Sequence, residues 1–370
     1  MKKTMIAAGI ATMLAGITGV AAAQNVEVYG IVDTGYIKES GRDARMGSNT
    51  ESRIGFRGTE DLGGGLKATF ELEKRLNLND GTARSSNGLY DRRNYDDWVH
   101  MGFGSRGDSD WAGAANVGLK GEWGAVRLGR VADLSTETYR RLDPFNHYGV
   151  GAALAYGNTL YSEELSNTVR YDSPTWSGFS FGLSYSVGED EDYFDGLIYP
   201  YREIGNDGFN IMAKYEQGPL LLLGNWQRVV DSGESYLWNL GAAYKYGPAT
   251  VSVGYQDSRF KLFSFFGVPT VKQKDWILGL NWEVGSGEIK ASFNYAKYDE
   301  QKTGGIDDSV KKYALGYTYH LSKRTSLYGI MAYTDADTED MGIHYGSQGA
   351  TAEVGRESTV GWQVGMTHRF

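Results

Sequence analysis

Apolar and polar residues take turns along most of the chain, and this two-residue period restricts the fold more than any other feature. In "TESRIGFRGTEDLGGGLKATFELE", residues 50–73, Ile54 and Phe56 lie between Arg53 and Arg57. Beyond Gly63-Gly64-Gly65, the residues Leu66, Ala68, Phe70 and Leu72 lie between Lys67, Thr69, Glu71 and Glu73. Successive side chains of a strand point to opposite faces, so this is a hairpin with one apolar and one charged side. The same alternation recurs from Phe179 to Val187, Phe209 to Tyr215, Trp238 to Tyr246, Trp276 to Trp282 and Tyr313 to Tyr319. No segment sustains a 3.6-residue period, and the chain reads as all-β. Leu220–Leu223 and Leu327–Tyr333 are apolar without a clean polar side.

The connections narrow the reading further. Seven are short, around 62–65, 122–124, 173–177, 217–219, 247–248, 285–287 and 321–324. Eight generally longer polar ones alternate with them, at roughly 38–50, 77–110, 131–166, 188–207, 229–234, 257–272, 299–309 and 335–358. Fifteen connections imply sixteen antiparallel strands with both chain ends on the short-turn side, an even count that can close into a barrel. All six prolines fall in connections or at strand ends, where a missing ladder donor is tolerated.

The apolar face then needs a cover. A sandwich of this length would divide into domains, and no linker or composition shift marks a division. A barrel in a bilayer turns its apolar residues to lipid and keeps a polar, water-filled interior, with every backbone group paired around the ring. The expected fold is therefore a 16-stranded antiparallel transmembrane β-barrel. Tyr36, Trp238, Tyr246, Trp276, Trp282, Tyr298 and Tyr319 fall where interfacial aromatic belts would sit.

The chain begins with Lys2 and Lys3, an apolar run from Met5 to Val20, and Ala21-Ala22-Ala23, the pattern of a cleaved secretory signal over 1–23. The remaining domain, 24–370, carries a formal charge of −11 once those two lysines are removed from the −9 of the whole chain. It has no cysteine, so neither disulfides nor thiolate chemistry hold it together. An acidic chain with 13% aromatic residues is a poor nucleic-acid partner, because phosphate neutralisation needs clustered Lys and Arg. The histidines His100, His147, His320, His344 and His368 are scattered, and no nucleophile–base or H-E-x-x-H pattern occurs, so an enzyme is not expected.

The chain resembles the general trimeric porins of Gram-negative outer membranes. The residues that carry the resemblance are "VEVYGIVDTGY" from Val26, "SRIGFRGTEDLGGGLKATFELE" from Ser52 and "GEWGAVRLGR" ending at Arg130. They continue with "NTVRYDSPTWSGFSFGLSYS" from Asn167, "LGYTYHLSKRTSLYG" from Leu315 and the ending "VGMTHRF". Val360, Trp362, Val364, Met366, His368 and Phe370 share one face, as a closing lipid-facing strand should. The resemblance implies an outer-membrane channel for passive diffusion of small hydrophilic solutes and ions, without a cofactor. It implies a homotrimer in contact with outer-membrane lipid and lipopolysaccharide, and a terminal Phe370 read by the assembly machinery.

In such porins the third long loop, here about 131–166, folds into the bore and sets acidic residues against a basic wall. By motif match the wall takes Arg53, Arg57, Arg130 and Arg170, with Arg127 added by alternation. Enteric relatives carry Pro-Glu-Phe-Gly on the loop, whereas this chain has Asp143-Pro144-Phe145-Asn146. The acidic side then falls to Asp143, with Asp133, Glu137, Glu163 and Glu164 as the other options. The acidic runs "GEDEDYFD" and "TDADTED" sit in long loops, as solvated surface or as Ca²⁺ or Mg²⁺ sites bridging lipopolysaccharide phosphates. Tyr139, Phe145, Tyr148, Tyr156 and Tyr161 keep a substrate-specific channel with an aromatic path as the alternative.

Overall fold

The structure is a computed structural model, and it describes residues 25–41, 43–83, 111–154, 164–187, 207–229, 235–261, 270–300, 307–337 and 358–370. The signal segment, most of the second long connection, Glu163 and the acidic run from Gly188 lie outside the described residues.

Sixteen barrel strands follow in chain order: β1 (Asn25–Glu39), β2 (Ser52–Gly63), β3 (Leu66–Leu76), β4 (Ala115–Gly121), β5 (Gly124–Ala132), β6 (Glu164–Asp172), β7 (Phe179–Ser186) and β8 (Gly208–Gln217). They continue as β9 (Leu220–Val229), β10 (Tyr236–Tyr246), β11 (Ala249–Lys261), β12 (Thr270–Val284), β13 (Gly287–Glu300), β14 (Asp307–His320), β15 (Thr325–Ala336) and β16 (Ser358–Arg369). Each pairs antiparallel with its chain neighbours, and β16 closes the ring on β1 from Ile31↔Arg369 to Glu39↔Gly361. Phe370 completes the seam by exchanging two backbone hydrogen bonds of 3.1 Å with Gly30. A three-residue strand, Arg45–Gly47, lies in the first long connection and pairs with Gly35–Ile37, beyond the reach of β2. The turn Gly63-Gly64-Gly65 has φ of 85°, 60° and 81°, a left-handed run that only glycine adopts without strain.

The barrel shows its apolar residues outward. Val117, Leu240, Leu278, Leu315, Met331 and Val364 are all exposed large hydrophobics. Among the described residues no helix is long and apolar enough to cross a membrane; the crossing elements are strands. On the outer face near the long connections, aromatic rings meet from strand to strand. Trp238 and Tyr255 are 5.1 Å apart, Tyr255 and Trp276 4.9 Å, and Trp276 and Tyr295 5.4 Å. Tyr246, Trp282 and Tyr319 are exposed near the short turns. Tyr298 is not part of a belt: it shares its face with Gln273, its cross-strand partner, and is buried inside. Its neighbours Tyr295 and Lys297 take the odd positions of β13 that face out.

The two segments without a polar side now have an explanation. Leu221 and Leu223 cluster with Tyr139, Leu142, Ala153, Ala243 and Ile277. Tyr328, Ile330 and Ala332 cluster with Phe145, Val150, Ile37 and Ala314. Both clusters lie inside the barrel, where the third long loop packs on the wall and supplies a second apolar surface.

Leu315 occupies a central outward position between Tyr313 and Tyr317. Leu315→Arg is expected to cost about 2–4 kcal/mol of folding free energy in a bilayer, whereas lumen-facing Thr318→Lys stays near neutral. Urea titrations of folding into lipid vesicles measure both, and equal costs would contradict the assignment of faces.

Candidate functional site

The third loop leaves β5 at Asp133 and enters a short helix, α1 (Leu134–Arg140). Asp133 caps it, accepting from the Thr136 amide at 3.0 Å and from Ser135, and receives Asn210 and Gln227 of the wall at 2.9 and 3.1 Å. At the other end of α1, Arg141 donates to both Glu216 carboxylate oxygens, at 2.9 and 2.5 Å. Beyond it the loop follows the wall: Ser252 donates to the Leu142 carbonyl at 2.6 Å and buried Lys312 to the Ala152 carbonyl at 2.7 Å. Gln363 receives the Val150 amide at 3.1 Å, and the Tyr148 hydroxyl donates to Glu51 at 3.2 Å. The loop thus runs inside the barrel from β6 round to the β16–β1 seam, and constricts the bore.

The loop carboxylates divide into structural and facing groups. Asp143 accepts the amides of Phe145, His147 and Ala153, each at 2.9 Å, and so folds the turn in which Asn146 and His147 take positive φ. Asp133 and Asp143 are both buried and engaged, so they do not form the acidic face set against the arginines. Burial pushes both carboxyls above the usual range, while the amide donors on each pull the other way. Glu137 does face the wall: its side chain is 55% exposed and pairs with Arg170 at 2.7 Å. Glu164 opens β6 and pairs with Arg75, with Arg130 3.7 Å away.

The wall opposite carries the charges. Arg53 and Arg75 are direct cross-strand partners, and so are Arg127 and Arg170. Two like charges about 5 Å apart repel by about 3 kcal/mol at an effective dielectric of 20, so each pair needs carboxylates beside it. Glu73 lies 3.3 Å from Arg53, and Arg75 contacts Glu51, Glu73 and Glu164. Asp172 bridges the second pair, 2.6 Å from Arg127 and 2.7 Å from Arg170. Arg170 is only 3% exposed and also donates to the Ala132 carbonyl, so it clamps the start of the loop as well as charging the wall. Arg130 departs from simple alternation. A register shift between Gly129 and Val131 lets its guanidinium reach the Ala112 and Gly113 carbonyls and Ser166. Arg57 stands apart, lower on the wall, paired with Glu27 at 2.8 Å and stacked on Tyr29.

The sequence reading missed Arg75, Glu51, Glu73 and Asp172. A signal existed for three of them: counting back from the Gly63-Gly64-Gly65 turn, alternation puts Glu73 and Arg75 on the face of Arg53, and it puts Asp172 beside Arg170.

A closed sixteen-stranded barrel with apolar exterior, charged wall and infolded loop defines a membrane-spanning channel of the diffusion type. The family model described as Gram-negative porin matches residues 11–339, and the chain belongs to that family. It is 32% identical to outer membrane porin protein 32 of Delftia acidovorans, over the full length of both. It is 34% identical to the chitoporin of Vibrio furnissii, over 70% of this chain and 67% of that one. Among solved structures, the anion-selective porin from Comamonas acidovorans superposes with a TM-score of 0.73 at 28% identity, covering 94% of this chain and all of the other. The protein is an outer-membrane porin, and family and fold point to a passive channel rather than an enzyme.

Arg75→Ala leaves Glu51, Glu73 and Glu164 without their common cation and is expected to cost about 2 kcal/mol. Arg75→Lys, which keeps a cation there without the bidentate fork, should lose less than Arg75→Ala. Melting of the detergent-solubilised barrel of both variants checks this.

Proposed function

We propose that the eyelet between loop 3 and the β2–β6 wall selects the small hydrophilic solutes and ions that cross this porin. The observation that carries the reading is the two registered arginine pairs, Arg53–Arg75 and Arg127–Arg170, on the wall, with Glu137 on α1 against Arg170. Charges of both signs that line a bore in a medium of low effective dielectric set up a field that orders water and disfavours apolar solutes. Arg53 and Arg127 are the members that retain solvent exposure, and Arg170 acts chiefly through the loop it holds.

The substrate-specific alternative draws less support. Tyr139, Phe145 and Tyr148 are buried between loop and wall rather than laid along the bore, while Tyr156 and Tyr161 lie outside the described residues.

The outer face supports two partners. From β1 to β5 it is mainly aliphatic and Phe, with Val26, Val28, Phe56, Phe70, Val117 and Leu128, a surface suited to a neighbouring copy. A porin of the same fold has been solved as a trimer, and a homotrimer is the matching assembly here. From β9 to β14 the aromatic band is topped on the outward face by Arg228, Arg259, Lys272, Lys274, Lys297 and Lys311, six cations against the three carboxylates Asp257, Asp299 and Asp335 that register beside them. Basic side chains just beyond an aromatic girdle suit the phosphates of outer-leaflet lipopolysaccharide. At the seam, Phe370 presents the terminal aromatic that assembly machinery would read. Asp337 of the second acidic run is engaged by Ser309 at 2.6 Å, Thr334 to Ala336 close β15, and Thr338, Glu339 and Asp340 lie outside the described residues.

Planar-bilayer recording under a salt gradient tests the eyelet. Arg53→Ala is expected to shift the reversal potential toward cations, and an unchanged potential would remove the arginine wall from the selectivity mechanism. Replacing Lys272 and Lys274 by Gln should reduce the phosphorylated glycolipid that co-purifies with the barrel, read by phosphate analysis.

A further inference from the structure

Glycine inside a strand weakens it by roughly 0.5–1 kcal/mol relative to alanine, so a series of strand glycines needs a reason. Six lumen-facing ones, Gly182, Gly241, Gly254, Gly279, Gly316 and Gly361, sit on β7, β10, β11, β12, β14 and β16. None has positive φ, so backbone conformation does not require them. What they share is a neighbour. A Cβ at Gly182 would stand 2.8 Å from Leu134, and one at Gly254 2.6 Å from Leu142 and 3.1 Å from Tyr139. At Gly241 it would strike Leu142, at Gly279 it would lie 2.7 Å from the Pro144 ring, at Gly316 3.0 Å from Phe145, and at Gly361 3.4 Å from Val150. The loop residues meet the glycines in chain order on both sides, from Leu134 on Gly182 to Val150 on Gly361.

We propose that this track of wall glycines sets the depth at which loop 3 lies, and hence the width of the eyelet. The track determines which solutes pass without touching any of them. The inference rests on the reading of loop 3 as the constriction of a conducting porin. Each methyl added to the track stands about 1.5 Å off the backbone, where the loop now packs. Gly279 is the most telling position, because a proline ring has no side-chain rotation by which to retreat; Ser252, also close there, is itself bonded to the loop at the Leu142 carbonyl. The loop must then move toward the arginine wall.

The test is single-channel conductance of the full-length protein in planar bilayers, with liposome swelling in sugars of increasing size. Gly279→Ala and Gly316→Ala are each expected to lower conductance by roughly a quarter or more and to slow the larger sugars most, as a narrower pore does. Pro144→Ala added to Gly279→Ala should restore much of the loss. Outward-facing Gly224→Ala, whose Cβ would meet only Leu240 and the Asn239 carbonyl, serves as the control and should conduct as the parent does. Two independent positions guard against one variant failing to fold. If both variants form barrels that conduct and sieve like the parent, or conduct more, the glycine track does not set the eyelet. A loss that Pro144→Ala leaves untouched also overturns the proposal. A parent that does not conduct at all would instead sink the channel reading on which it rests.

Discussion

Hydrocarbon offers a backbone amide no partner, and every feature of this molecule follows from meeting that condition with strands. A strand satisfies its amides only through neighbours, so the sheet has to close, and β16 meets β1 with Phe370 bonded to Gly30 at the last rung. Closure then assigns the faces. With lipid outside, the alternate residues that would form the core of a soluble sandwich are turned out, and the charged ones line a wet bore. A mean hydropathy of −0.42 is compatible with a membrane protein for that reason: only one residue in two of each strand meets lipid.

The bore is then wide enough to need an internal structure of its own. Loop 3 is held at its start by Arg170, Asn210 and Gln227, and at its far end by Lys312, Gln363 and Glu51, groups drawn from both sides of the seam. Between these anchors it buries Tyr139, Leu142, Phe145 and Val150 against the wall. That second apolar contact has no access to lipid, and it accounts for strands that carry leucine or isoleucine on both faces. Across the bore, arginines are placed side by side and tolerated because Glu51, Glu73, Glu164 and Asp172 stand among them. The charged wall is therefore a packed network of paired ions, more rigid than a row of free cations and less strongly positive.

Much of this was legible in the chain. Alternation of period two, the succession of short and long connections, and the shared face of Val360 to Phe370 lead to strand number, topology and the outward face. They do so because each is local: a side chain's face depends on its parity within one strand. Arg53, Arg127 and Arg170 could be placed on the inner wall by the same count. Tyr298 shows the limit of reading residue type instead of parity, since a tyrosine near a strand end was assigned to a belt that its even position in β13 denies it.

What the tertiary structure alone decided concerns the loop and the ions. Asp143 and Asp133 look like facing carboxylates in sequence; in space, backbone amides and wall amides surround them, because a tight turn and a helix start each needed an acceptor. Arg75, silent as a motif, became the centre of the charged wall once β3 was registered against β2 and β6 brought Glu164 alongside. Whether a charge is paired depends on partners from strands far apart in sequence, and no local pattern encodes that distance. Parity is a property of the chain, whereas proximity across the bore belongs to the closed barrel.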